Sequence, residues 1–205
     1  MVSGTGFFAV EPMAAEPDDG WLPFSEVLSL APPPLRGDVE PRVHASLWFL
    51  GWSARLVSPW LGTAVRAGAV PVVPASSLWF LPSAQPVRLA AVGPIPWAPA
   101  SPRTLYDACI GALVEPLLVA TASAYSVSPQ VMWGNVASSV AGAGTVLRQS
   151  ADPGQVDAWV GGLLATGELS GCGAFTEAGF VRTSCCLMYR VSGAGLCGDC
   201  VLRPR

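Results

Sequence analysis

Four of the six cysteines in this chain fall in one short stretch near its end, and their spacing sets the chemistry to be considered. Cys185 and Cys186 are adjacent, ten residues follow, and Cys197-Gly198-Asp199-Cys200 closes the pattern C-C-x10-C-x2-C. Four thiolates suit either tetrahedral zinc or an iron–sulfur cluster. Structural zinc usually draws its ligands from two C-x2-C-like knuckles, and only one is present. In an extended chain neighbouring side chains leave on opposite faces, so the vicinal pair converges on one small ion only with local distortion. Two irons, each needing two thiolates, accept diverging sulfurs more readily, and the pattern predicts a [2Fe–2S] cluster on Cys185, Cys186, Cys197 and Cys200. The assignment of cysteines to irons stays open, and structural zinc on the same four residues remains the alternative.

The flanking residues agree with a charged centre. Four thiolates outweigh the iron and sulfide charge and leave an oxidised site at about −2, which Arg182, Arg190, Arg203 and Arg205 can offset. Gly193, Gly195 and Gly198 let backbone N–H groups approach the sulfurs. His44 is the single histidine, which excludes a two-histidine Rieske site. Cys109 sits in an apolar helical pattern and reads as core, whereas Cys172, between Gly171 and Gly173, reads as a loop thiol.

The tail Arg182 to Leu202, with its vicinal cysteines, Tyr189-Arg190 and Cys-Gly-Asp-Cys, resembles the C-terminal [2Fe–2S] motif of the FhuF-like ferric siderophore reductases. The likeness covers about a tenth of the chain. Ala45-Ser46-Leu47 on an early helix and Trp133-Gly134-Asn135 at the start of a later one are similar, more loosely, to segments of that family. The resemblance implies a cytoplasmic enzyme that reduces the Fe(III) of a ferric siderophore by one electron and so releases Fe(II). Two other readings stand beside it: an electron carrier or redox sensor that meets only protein partners, and a non-redox domain closed by zinc.

A chelate reductase needs a place for the chelate and a source of electrons. Trp48 and Trp52, on adjacent turns of one helix, could line a pocket, and Arg55, Arg66 and Arg103 could attract an anionic chelate. Gly142-Ala143-Gly144 lies in a helical pattern, follows no strand and lacks a third glycine, so close helix packing explains it better than nucleotide binding. With no phosphate loop and no nicotinamide or flavin site in view, the electrons are expected from a donor protein such as a ferredoxin or reductase.

The elements that must hold these residues read as an α+β chain, mainly helical, with a small hairpin or sheet and the cysteine-rich segment at the end. Residues 1–40 are rich in Pro and acidic residues and read as a loosely packed arm on which Phe7, Phe8, Trp21 and Phe24 could dock. The body spans 41–182 and the cluster segment 183–205. Pro41 to Gly68 shows a helical stripe of Leu47, Leu50, Ala54, Val57 and Leu61 with Arg55 and Arg66 off it, and a bend is expected near Pro59. Ser77 to Leu81 and Val87 to Val92 read as two short strands. Ser101-Pro102, Ser128-Pro129 and Asp152-Pro153 each open a helix, with a kink expected at Pro116.

Hydrophobic residues make up 51% of the 205 residues and charged residues 12%, so a membrane span has to be considered. The run Leu47 to Val65 contains Arg55 and Pro59, and Ile110 to Tyr125 contains Glu115 and Pro116, so neither supplies about 20 uninterrupted apolar residues. A net charge of −3 with no lysine gives no basic stripe for nucleic acid. The acidic start, with Glu11, Glu16, Asp18 and Asp19, lacks the basic region of a secretory signal, and the expected location is the cytoplasm.

Overall fold

The computed structural model describes residues 8–18, 20–29, 39–84, 86–203. Phe7, the Pro32-Pro33-Pro34 run and Arg205 lie outside them. The fold is α+β, mainly helical, with three small sheets among the described residues.

The first sheet contains β1 (Val10–Met13) and β2 (Leu22–Pro23). The stretch expected to pack loosely as an arm therefore supplies two strands, followed by a 3-10 turn over Phe24–Ser29. Nothing local marks them. Glu11 and Pro12 break any alternation, and the strand forms because β1 finds a long-range parallel partner. Both strands are at sheet edges, where Pro12 and Pro23 are tolerated.

Helix α1 (Pro41–Ala67) opens with proline in its first turn and ends at Gly68, whose left-handed φ of 62° lets its N–H bond Ala64 O at 3.1 Å. The sequence predicts one buried stripe. Instead, every residue from Trp52 to Val65 except Ala54 is buried, Arg55 included, because α1 is the central helix and is covered on all sides.

Strand β3 (Ala69–Pro71) pairs antiparallel with β6 (Trp97–Pro99), and between them β4 (Leu78–Leu81) and β5 (Arg88–Val92) form the expected antiparallel pair. β1 adds parallel to β5 with Val10 opposite Leu89, and β2 adds to β4, giving the order β1-β5-β4-β2. Arg55 pins α1 to this sheet. Its Nε donates to Val87 O and its Nη2 to Ala9 O at 2.8 Å.

A continuous helix then runs from Pro102 to Tyr125. It starts as α2 (Pro102–Leu105), capped by Ser101 Oγ accepting from Thr104 N at 3.0 Å, widens to a π-helical stretch over Tyr106–Val114, and continues as α3 (Glu115–Tyr125). Pro116 thus falls in the first turn of α3, where a missing N–H is tolerated, and the irregularity is a wide turn upstream of it. This helix is long and apolar enough to cross a membrane, yet it buries Leu105, Ile110, Leu113 and Leu117 in the core.

Helix α4 (Pro129–Leu147) lies parallel to α1, as the pairs Asn135 with Ser46, Ser139 with Leu50 and Leu147 with Gly62 show. Helix α5 (Pro153–Leu164), capped by Asp152, returns against it. A Cβ on Gly144 would stand 2.5 Å from Val160 Cγ2, so this glycine serves helix packing. The hairpin of β7 (Gly173–Thr176) and β8 (Gly179–Arg182) then delivers the chain to the cysteine segment beside α4.

Candidate metal centre

Strand β8 ends at Arg182, and Ser184, Cys185 and Cys186 follow across the N-terminal half of α4. All four cysteines of the segment are free thiols, with Cys186 and Cys200 buried and Cys185 and Cys197 partly exposed. Cys186 Sγ and Cys197 Sγ are 3.5 Å apart, far longer than a disulfide of about 2.05 Å. Leu187 N donates to Cys185 Sγ at 3.3 Å, and Leu202 N donates to Cys200 Sγ at 3.4 Å. The first of these depends on Leu187 holding a φ of 71°, a left-handed backbone that is uncommon for leucine.

Behind the sulfurs stands Arg182, 1% exposed. Its Nη1 donates to Asn135 Oδ1 at 2.6 Å, and its Nη2 donates to Cys197 Sγ and to Asp199 Oδ1, each at 3.3 Å. Asn135 passes the contact on, its Nδ2 donating to Ser46 O and Ser46 Oγ at 3.0 Å. Ser46 Oγ donates in turn to Cys186 O at 2.9 Å. The chain of bonds therefore runs from Cys197 through Arg182, α4 and α1 to Cys186, and these two cysteines meet at their sulfurs. Ser138, one turn after Asn135 on α4, holds the other oxygen of Asp199. A Cβ on Gly134 would fall 2.0 Å from Ser184 Oγ and 3.7 Å from Arg182 Cδ, so only glycine lets the segment lie this close to α4.

Burial pushes the Cys197 thiol up to about 12 despite the Arg182 hydrogen bond, and burial likewise raises Cys185. Metal binding at these sulfurs must therefore displace protons. Burial works against the Arg182 charge, but Asp199, Cys186 and Cys197 hold its pKa above the usual value.

The donor set fits a binuclear cluster. Two close sulfurs, two more nearby, N–H groups on Cys185 and Cys200 and a buried guanidinium match a centre with two metal positions. The buried Arg182 Nε and Ser184 Oγ have no hydrogen-bond partner among the described residues.

The five side chains expected to meet a chelate are not gathered at the cysteines. Arg55 is buried against the sheet, and burial lowers its pKa to about 10. Arg66 bonds Ser150 Oγ at 2.7 Å and sits twenty residues along α1 from Ser46, about 30 Å at helical rise. Arg103 pairs with Asp107 in an exposed i,i+4 contact and covers the Tyr106 ring. Trp48 and Trp52 pack edge to face, and Trp52 also meets Phe24 and Phe80, so these rings build the junction of α1 with the sheet. Cys109 is core, bonded to Leu56 O, and Cys172 Sγ donates to Glu168 O at 3.1 Å.

A groove of about 440 Å³ does open at the cluster segment, lined by Thr176, Glu177, Ala178, Val181, Gly198, Cys200 and Arg203. Its walls are the β7–β8 turn and the chain after Cys197. Sequence reasoning noted Arg203 only as a flanking charge, because nothing local shows that a hairpin twenty residues upstream forms the opposite wall.

Residues 182–202 match the model of the FhuF 2Fe-2S C-terminal domain, the same tail whose motif resembles that family. This segment is of the iron–sulfur type and its cofactor is a [2Fe–2S] cluster. No curated protein matches the chain.

Proposed function

We propose that this protein is a cytoplasmic ferric-siderophore reductase, which accepts electrons from a donor protein such as a ferredoxin or reductase and reduces chelated Fe(III) to release Fe(II). The observation that carries the reading is the groove against Cys200, next to a segment of the FhuF 2Fe-2S type. When bound, the cluster supplies one electron at a time, which is what one Fe(III) requires.

The protein's own residues bind and position. Cys185, Cys186, Cys197 and Cys200 hold the cluster, and Arg182, Asn135 and Ser46 fix two of those ligands against α4 and α1. At the groove rim Arg203 is exposed and offers a cation to an anionic chelate, while Glu177 on the opposite wall disfavours one that carries excess negative charge. Val181 and Ala178 give the apolar part of the seat. Hard oxygen donors hold Fe(III) far more tightly than Fe(II), so reduction loosens the metal and a ferrous acceptor draws it away.

One observation favours the carrier reading. Tyr189, Leu196 and Leu202 are exposed on the cluster segment, apolar side chains of the kind a protein partner covers. Stopped-flow reoxidation of the reduced protein by ferric chelates, with a ferrous trap present, separates the two readings. The reductase reading requires faster reoxidation by ferric siderophores than by unrelated one-electron oxidants, and equal rates leave the carrier.

A further inference from the structure

We infer that the four ligands are interleaved, Cys186 and Cys197 holding one iron and Cys185 and Cys200 the other, and that buried Arg182 directs the added electron to the Cys186–Cys197 iron. The inference concerns the cluster itself and holds whether the final acceptor is a chelate or a protein.

Two thiolates about 2.3 Å from one tetrahedral ion stand about 3.7 Å apart, whereas thiolates on different irons are separated further by the distance between the metals. Cys186 Sγ and Cys197 Sγ are 3.5 Å apart, close to the shared-ion spacing. The alternative, in which sequence neighbours share an iron, would place both vicinal sulfurs on one ion although adjacent side chains diverge. Their burial differs, Cys186 being buried and Cys185 partly exposed. With Cys186 and Cys197 on one iron, Cys185 and Cys200 are left to the other.

The pairs differ in what surrounds them. Cys185 and Cys200 each accept a neutral backbone N–H from the residue two positions on, Leu187 and Leu202. Cys197 instead accepts from a guanidinium with no exposed side-chain surface. A charge-assisted bond is roughly twice as strong as a neutral one, and it strengthens as negative charge builds on the sulfur. Asp199 shares the same Nη2 and dilutes this field, but the donor still contacts the sulfur directly. Reduction adds one electron from the reductant, converts one ferric ion to ferrous and leaves the other ferric. No bond breaks and no proton moves, so the site next to the cation is favoured.

The test is proton NMR of the dithionite-reduced holoprotein, followed with temperature. Cysteine β-protons on ferric iron are shifted far downfield and move back on warming, whereas those on the coupled ferrous iron are shifted less and show the opposite trend. Signals are assigned through nuclear Overhauser contacts between each cysteine and its neighbours, with cysteine labelled selectively. We expect Cys186 and Cys197 to share the ferrous behaviour, and Cys185 and Cys200 the ferric one. A common trend for Cys185 and Cys186 overturns the interleaving, and ferrous behaviour of the Cys185–Cys200 pair overturns the role of Arg182. Independently of these signals, Arg182→Gln should make reduction about tenfold less favourable, about 59 mV for one electron, with Arg182→Lys closer to wild type. An unchanged potential in Arg182→Gln also overturns that role.

Discussion

Asn135 and Ser46 join the two helices that carry the cluster segment: Asn135 Nδ2 donates to both Ser46 O and Ser46 Oγ at 3.0 Å, across 89 positions of sequence. Both residues are wholly buried, and Asn135 Oδ1 takes Arg182 Nη1 on its other side. Asn135→Ala would leave a buried guanidinium N–H without a partner, so a loss of about 3 kcal/mol is expected. Urea unfolding measures it. Iron loss to a ferrous chelator should accelerate in the same variant, and wild-type stability with wild-type iron retention would remove Asn135 from the frame.

The approach of the segment to α4 depends on Gly134. Its Cβ in Gly134→Ala would meet Ser184 Oγ at 2.0 Å but Ser184 Cβ only at 3.4 Å. Gly134→Ala should therefore lower the Tm by several degrees, for a cost of about 1–3 kcal/mol. Ser184→Ala alone should be neutral or stabilising, since it deletes a buried hydroxyl with no partner. Combining the two should restore most of the loss. Additive Tm changes would show that the clash lies elsewhere.

The four cysteines, the β4–β5 pair and the Ser-Pro and Asp-Pro helix starts were legible because each is a local signal: a spacing, a short apolar run between prolines, a cap. Other features depend on distant partners. Strand β1 has no alternation and exists through its register with β5. Arg55 looked like a surface residue because an arginine off the apolar stripe usually is one, and only a sheet supplying two free carbonyls makes its burial possible. Ser46 and Asn135 were visible as residues of a resemblance, while their bond, and the place of Arg182 between them and Cys197, required three segments to meet.

Arg55 accordingly serves folding. Arg55→Gln should strand Val87 O and Ala9 O in a buried junction and cost about 2–4 kcal/mol in urea unfolding. Chelate reduction by the protein that remains folded should be unchanged. A selective loss of activity with anionic chelates at full stability would return Arg55 to the substrate site.

If the groove seats a ferric chelate as proposed, Arg203 is the lining cation that selects it. Arg203→Ala should slow reoxidation by anionic ferric chelates by several-fold and leave neutral ones nearly unaffected, and raising ionic strength should reproduce the effect in wild type. Equal slowing of both chelate classes would point to damage at Cys200 instead, which the iron content would reveal.

The claim beneath all of these is that this segment, set on α1 and α4, assembles a binuclear iron–sulfur centre. Iron, sulfide and zinc analysis of protein prepared without air, read together with its EPR spectrum after dithionite, tests it most directly. About two irons and two sulfides per chain are expected, with a signal that appears only on reduction and is lost when Cys197 or Cys200 becomes serine. Stoichiometric zinc, with no iron uptake on reconstitution and no signal on reduction, would contradict it.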